Sequence, residues 1–187
     1  MLFFVKADLC KYLNASGKIL QLGSSTGRFL EKFKDRGWNA AAYDFSEQAV
    51  KQLRQKGITT REVDLNELNA SGALTYGDLL TRDIAYPSNI IMVRILEYLN
   101  PSAHDCLLFL LIDNAAPGTV FIIAGQVSGS AAEQAKKEPM TPEIALRLHP
   151  NFRTSFFAAR KDMRIKLGES ILTDHILVVE KMSSLQK

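Results

Sequence analysis

Short apolar runs recur along this chain at residues 19–22, 40–43, 90–93, 120–124 and 176–179, with a more polar one at 60–64 between the second and third. Each is continuous and not alternating, which is the pattern of a parallel strand covered by helices on both faces. Several of the intervening segments carry helical spacing. Residues 28–36 place Phe29, Leu30 and Phe33 on one face and run up to Gly37, a residue suited to end a helix. Residues 46–56 open on Ser46, a good N-cap, group Ala49, Val50 and Leu53, and stop at Gly57. Residues 102–114 follow Pro101, are rich in leucine, and end just before Ala115-Ala116-Pro117-Gly118. Strand, short loop and helix therefore repeat, which predicts an α/β doubly wound sheet. Residues 152–157 and 171–181 supply two more strand candidates near the C-terminal end.

Between them the character of the chain changes. From Gly125 to Pro142 the residues are mainly Gly, Ser, Ala, Glu, Lys and Pro, which reads either as a partial lid over the mouth of the sheet or as a surface loop. Thr141 is placed to cap a short helix through Leu148, with Pro142 at its first position.

The most specific local feature is Lys18-Ile19-Leu20-Gln21-Leu22-Gly23-Ser24-Ser25-Thr26-Gly27-Arg28-Phe29, an apolar strand running into a small-residue loop that opens a helix. Without a Cβ at Gly23 or Gly27, backbone N–H groups and a helix N-terminus can approach a ligand closely. A second apolar strand, Ala40-Ala41-Ala42-Tyr43-Asp44, ends in a carboxylate. Ligands of doubly wound sheets lie beyond the carboxyl ends of the strands, and both features fall there.

Together these segments resemble the class I S-adenosylmethionine (SAM) dependent methyltransferases. In that family a loop of the type acid-x-Gly-x-Gly-x-Gly holds the methionine part of SAM, and an acid ending the second strand accepts both ribose hydroxyls. Aligned to it, Gln21 stands at the acid, Gly23 at the first glycine, Ser25 at the second and Gly27 at the third, so the pattern departs at Gln21 and Ser25. The resemblance covers nearly the whole chain. It implies one methyltransferase-like domain over residues 1–187, a mostly parallel seven-stranded sheet with helices on both faces, and a C-terminal antiparallel hairpin. It also implies SAM as cofactor, with Gln21, Gly23, Ser24, Ser25, Gly27, Asp44, Phe45, Asp64, Leu65 and Arg94 as its contacts. Asp44 is the ribose candidate, its alternative being a cap for the helix that follows. Asp64 and Leu65 are adenine candidates, the competing reading being a turn near Asn66. Arg94 ends the fourth strand and is suited to hold an anionic substrate or the carboxylate of SAM, or else to pair with Glu97. Leu96-Glu97-Tyr98-Leu99 and Pro117-Gly118 match further family elements that support the fold.

Candidate chemistry beyond the cofactor is sparse. His149, beside Pro150, is the histidine to test as a base, with a surface role as its alternative. No histidine or cysteine pair has metal-ligand spacing, so no metal is expected. No Asn/Asp-Pro-Pro-aromatic tetrad follows the fourth strand, which speaks against the family's exocyclic-amine and glutamine-amide enzymes. With 23 Lys plus Arg against 20 Asp plus Glu, the net charge of +3 is too small to indicate nucleic acid. The denser basic stretches, 51–56 and 160–166, read as solvated faces. Cys10 and Cys106 read as free thiols of a reducing cytoplasm, and no segment reads as a signal peptide or membrane span. The expectation is a cytoplasmic methyltransferase acting on a small molecule, with a homodimer as one way to complete an open site. The alternative, to which Gln21 and Ser25 point, is an inactive methyltransferase-fold protein with a binding or regulatory role. A nicotinamide-dependent oxidoreductase is weaker, because Gly23-x-x-x-Gly27 lacks the Gly-x-Gly-x-x-Gly register.

Overall fold

The structure, a computed structural model, describes residues 12–15, 17–68, 87–93, 95–128, 152–159 and 172–183. In chain order these form β1 (Lys18–Leu22), α1 (Arg28–Lys34), β2 (Asn39–Asp44), α2 (Glu47–Gln55), β3 (Thr59–Glu62), β4 (Asn89–Val93), α3 (Pro101–Asn114), β5 (Val120–Ser128), β6 (Phe152–Ala159) and β7 (Leu172–Lys181). Single turns of 3-10 helix follow β3 and β4, at Leu65–Glu67 and Leu96–Tyr98.

The strands make one seven-stranded sheet in the order β3-β2-β1-β4-β5-β7-β6. The pairs β1–β2, β2–β3, β1–β4 and β4–β5 are parallel, whereas β7 runs antiparallel to both β5 and β6. The chain builds outward from β1 through β2 to β3, then returns to the other side of β1 with β4. The order therefore reverses between β1 and β4, the place where doubly wound sheets open a crevice.

Alternate residues of each central strand feed two separate cores. Leu20, Leu22, Ala41, Tyr43, Ile90, Met92, Phe121 and Ile123 pack with Ala103, Leu107 and Leu111 of α3. Ile19, Ala40, Ala42, Ile91, Val120 and Ile122 pack on the opposite face with Leu30 and Phe33 of α1 and Leu53 of α2. Burial on both faces explains why the runs are continuously apolar. Ser46 caps α2 as expected, its hydroxyl accepting the Ala49 N–H at 3.3 Å.

Three boundaries differ from the sequence reading. The polar third strand ends at Glu62, and Asp64 instead caps the 3-10 turn. Helix α1 stops at Lys34, short of Arg36. The connection expected from Gly125 begins no earlier than residue 129, because β5 continues to Ser128. Pairing from Gly125↔His175 to Ser128↔Leu172 gives those backbone groups partners whatever their side chains. The possible lid beyond 128, the helix at 141–148, and Cys10, Arg94 and His149 lie outside the described residues. Among the described residues no helix is long and apolar enough to cross a membrane.

Candidate functional site

The loop after β1 is built from left-handed residues. Gly23, Ser25 and Gly27 have φ of 66°, 49° and 70°, and only the middle one carries a Cβ. Gly23 N–H extends the β1–β2 ladder by donating to the Tyr43 carbonyl at 2.8 Å. Gly27 N–H closes the turn on the Ser24 carbonyl at 3.0 Å, and the Gly27 carbonyl accepts the Glu31 N–H at 3.1 Å to start α1. Tight packing surrounds both glycines. A Cβ on Gly23 would lie 2.6 Å from Ile95 Cδ1, and one on Gly27 would lie 2.3 Å from Leu53 Cδ2.

Asp44, at the carboxyl end of β2, is buried and holds this loop from the side. Its Oδ2 accepts the Ser25 N–H at 2.7 Å and its Oδ1 accepts the Ser46 N–H at 3.0 Å. Asp44 is therefore not the cap of α2, which is Ser46; it bonds the N–H of that cap residue instead. A carboxylate has about four acceptor positions, and two bonds leave each oxygen able to accept another. The Asp44 carbonyl accepts the Val63 N–H at 3.0 Å, which ties the end of β2 to the segment after β3.

The remaining sequence candidates spread along the same edge. Phe45 follows Asp44 and is 69% exposed, unusual for a ring of that size. Asp64 is exposed, and its Oδ1 accepts the Asn66 N–H at 2.9 Å. Leu65 is buried in the α3-side core, so its side chain is shared with the packing there. Gln21 and Ser24 are buried to 5% and 7% exposure, yet Gln21 Oε1 and Ser24 Oγ have no hydrogen-bond partner. An unpaired buried polar atom costs about 1–3 kcal/mol, so Gln21 near the end of β1 and Ser24 in the loop after it are polar groups that a further partner would satisfy. Thr60 Oγ1 is likewise unpaired, in the row Gln21, Ala42, Thr60 across three strands.

Three contributors escaped the sequence reading. Ile95 closes over Gly23. Asn66 Oδ1 accepts the Asn100 N–H at 2.8 Å, joining the loop after β3 to the N-cap of α3. Lys56, read as part of a solvated basic stretch, donates to the Thr26 carbonyl at 2.6 Å and to Glu31 at 3.0 Å. These contacts bridge residues distant in sequence, so local composition carries no signal of them.

No family model matches the chain, and no curated protein matches it by sequence. Solved structures do resemble it. A SAM-dependent methyltransferase from Methanosarcina mazei superposes with a TM-score of 0.64 at 11% identity, over 94% of this chain and 97% of that one. The N-methyltransferase NodS from Bradyrhizobium japonicum, solved with S-adenosyl-L-homocysteine, gives 0.61 at 12% identity, over 94% and 85%. A SAM-dependent methyltransferase from Archaeoglobus fulgidus gives 0.60 at 15% identity, over 93% and 90%. The chain has the class I SAM-dependent methyltransferase fold.

Proposed function

We propose that this chain is a SAM-dependent methyltransferase that transfers a methyl group to a small-molecule acceptor. The observation that carries the reading is the pair of buried, unpartnered atoms Gln21 Oε1, near the carboxyl end of β1, and Ser24 Oγ, in the following loop that the Asp44 carboxylate holds. The residues present fit the cofactor. Asp44 retains acceptor capacity for two vicinal hydroxyls, Phe45 offers an exposed ring next to it, and Asp64 has a second carboxylate oxygen for an exocyclic amine. Gln21 and Ser24 supply neutral hydrogen-bonding groups for the amino-acid end.

When bound, SAM supplies an already activated methyl group, so the chain need only orient an acceptor in line and keep water out. Such a transfer does not require a paired acid and base. The small net charge and scattered basic residues favour a small acceptor over a nucleic acid.

A second reading, a methyltransferase-fold protein that binds SAM without turning it over, is favoured by the neutral Gln21. Ser25 is weaker support for it, because at φ 49° it follows the path a glycine would take. One experiment separates the possibilities. SAM and S-adenosylhomocysteine are titrated in a thermal-melt assay, where ligand at about 100 times its Kd stabilises by about 2.7 kcal/mol. Absence of any shift would sink both readings. A shift without methyl transfer across a broad acceptor screen leaves only the binding protein.

A further inference from the structure

We propose that Lys56 is a positioning residue for the loop at 23–27, setting how that loop meets the part of the ligand beyond the ribose. The inference rests on the cofactor reading above. Helix α2 braces the loop from both of its ends. At its N-terminus the Ser46 N–H shares the Asp44 carboxylate with the Ser25 N–H. Near its C-terminus Leu53 fills the space beside Gly27, and the Lys56 ammonium bonds the Thr26 carbonyl at 2.6 Å and Glu31 Oε2 at 3.0 Å.

Lys56 is not a loose surface ion. Its side chain is 27% exposed, and its backbone is itself fixed, since the Lys34 ammonium donates to the Lys56 carbonyl. The Lys34 ammonium sits close beside Gly57, 2.6 Å from where a Cβ on that residue would be.

The bond to Thr26 falls at the one peptide of the loop most able to turn over. Rotation of the Thr26–Gly27 peptide plane is absorbed by φ of Gly27, and glycine adopts either sign of φ at little cost. Such a rotation swings the Thr26 carbonyl away from α2. It also breaks the 3.0 Å bond from Gly27 N–H to the Ser24 carbonyl, which closes the turn. Ser24 carries one of the three buried, unpartnered side-chain atoms among the described residues, and its orientation depends on that turn. The ammonium, with a partly buried and charge-assisted bond, holds the peptide in the orientation that keeps the turn closed. Asp44 is bonded through other N–H groups, so the ribose position does not pass through Lys56.

The test compares two ligands by calorimetry: S-adenosylhomocysteine, and adenosine, which has the ribose and base but no amino-acid arm. Loss of one charge-assisted bond corresponds to a change of about tenfold or more. Lys56→Met should weaken S-adenosylhomocysteine by about that factor and leave adenosine unchanged, while Lys56→Arg keeps both. Glu31→Gln, which removes the ion pair but spares the bond to Thr26, should leave both affinities at the wild-type values. Equal loss of the two ligands in Lys56→Met, or no loss of either, overturns the positioning role. The same loss in Glu31→Gln as in Lys56→Met also overturns it, since the ion pair alone is then responsible. Wild-type protein that binds neither ligand defeats the cofactor reading itself, and adenosine binding by Lys56→Met confirms that this variant is folded.

Discussion

Asp44 Oδ2 accepts the backbone N–H of Ser25 at 2.7 Å, so a side chain ending β2 fixes the conformation of the loop that leaves β1. Ser25 is the one described non-glycine residue at positive φ, 49°. A left-handed residue with a Cβ costs about 1–2 kcal/mol. A hydrogen bond to a charged acceptor returns about 1.5–3 kcal/mol, enough to hold serine there.

Replacing that carboxylate should show both of its roles. Asp44→Asn keeps the shape but turns an acceptor pair into one acceptor and one donor facing two N–H groups. Stability should fall by about 1–3 kcal/mol in urea unfolding. S-adenosylhomocysteine binding should become undetectable in the thermal-melt assay, and a wild-type shift would mean that the ribose lies elsewhere.

Relief of strain at Ser25 should be visible in the opposite direction. Ser25→Gly removes the Cβ penalty but frees the unfolded chain, a loss of about 0.4–1 kcal/mol, so the net gain should lie between about 0 and 1.6 kcal/mol. Ser25→Val, with a branched Cβ at the same φ, should cost at least about 1 kcal/mol. Urea midpoints at constant slope would report both.

Gln21 should separate stability from binding. Gln21→Met preserves length and removes an unpaired buried oxygen, so the ligand-free protein should gain about 1 kcal/mol. The same change should weaken S-adenosylhomocysteine, measured by calorimetry. A stabilised variant with wild-type affinity would place Gln21 outside the site.

Close packing at Gly23 should be measurable as a coupling with Ile95. A Cβ on Gly23 would meet Ile95 Cδ1, Cγ1 and Cβ at 2.6, 2.9 and 3.1 Å, and the last of these cannot rotate away. Gly23→Ala should cost about 2–4 kcal/mol, from overpacking together with a side chain at positive φ. Ile95→Ala on that background should recover the packing part alone, and a double-mutant cycle in urea would give its size.

Lys181 should make stability rise at alkaline pH. Burial lowers its ammonium below the ordinary 10.5, against a smaller opposing pull from Asp113. Below the folded-state value the charged form burdens the folded state. As pH rises through that value the folded protein loses its proton first, and the burden fades until the unfolded lysine also titrates. Lys181→Met should flatten this rise in urea midpoints taken up to about pH 10.5, and an unchanged profile would assign the rise to another group.

The architecture was legible in the chain because it follows from local arithmetic. Continuous apolar runs such as 19–22 and 120–124 report burial on both sheet faces, and Gly37, Gly57 and Ser46 punctuate the helices between them. The loop at 23–27 and the acid at 44 were legible for a related reason. Their residue types answer a backbone need, small side chains where φ is positive and a carboxylate where N–H groups converge. The continuation of β5 to Ser128 was not, since pairing with β7 overrides the propensity of a Gly-Gln-Val-Ser segment.

The sequence by itself determined the strand and helix order, the small-residue loop and the carboxylate beside it, because hydrophobic period and backbone sterics act over a few residues. Only the tertiary structure decided that Asp44 spends two bonds on Ser25 and Ser46, that Gln21 and Ser24 are left unpaired, and that Lys56 reaches Thr26. Those outcomes depend on which distant segments the sheet brings within 3 Å of each other. Hydrogen bonds fade over a fraction of that distance, so the arrangement of side chains around the loop is set by packing and not by composition.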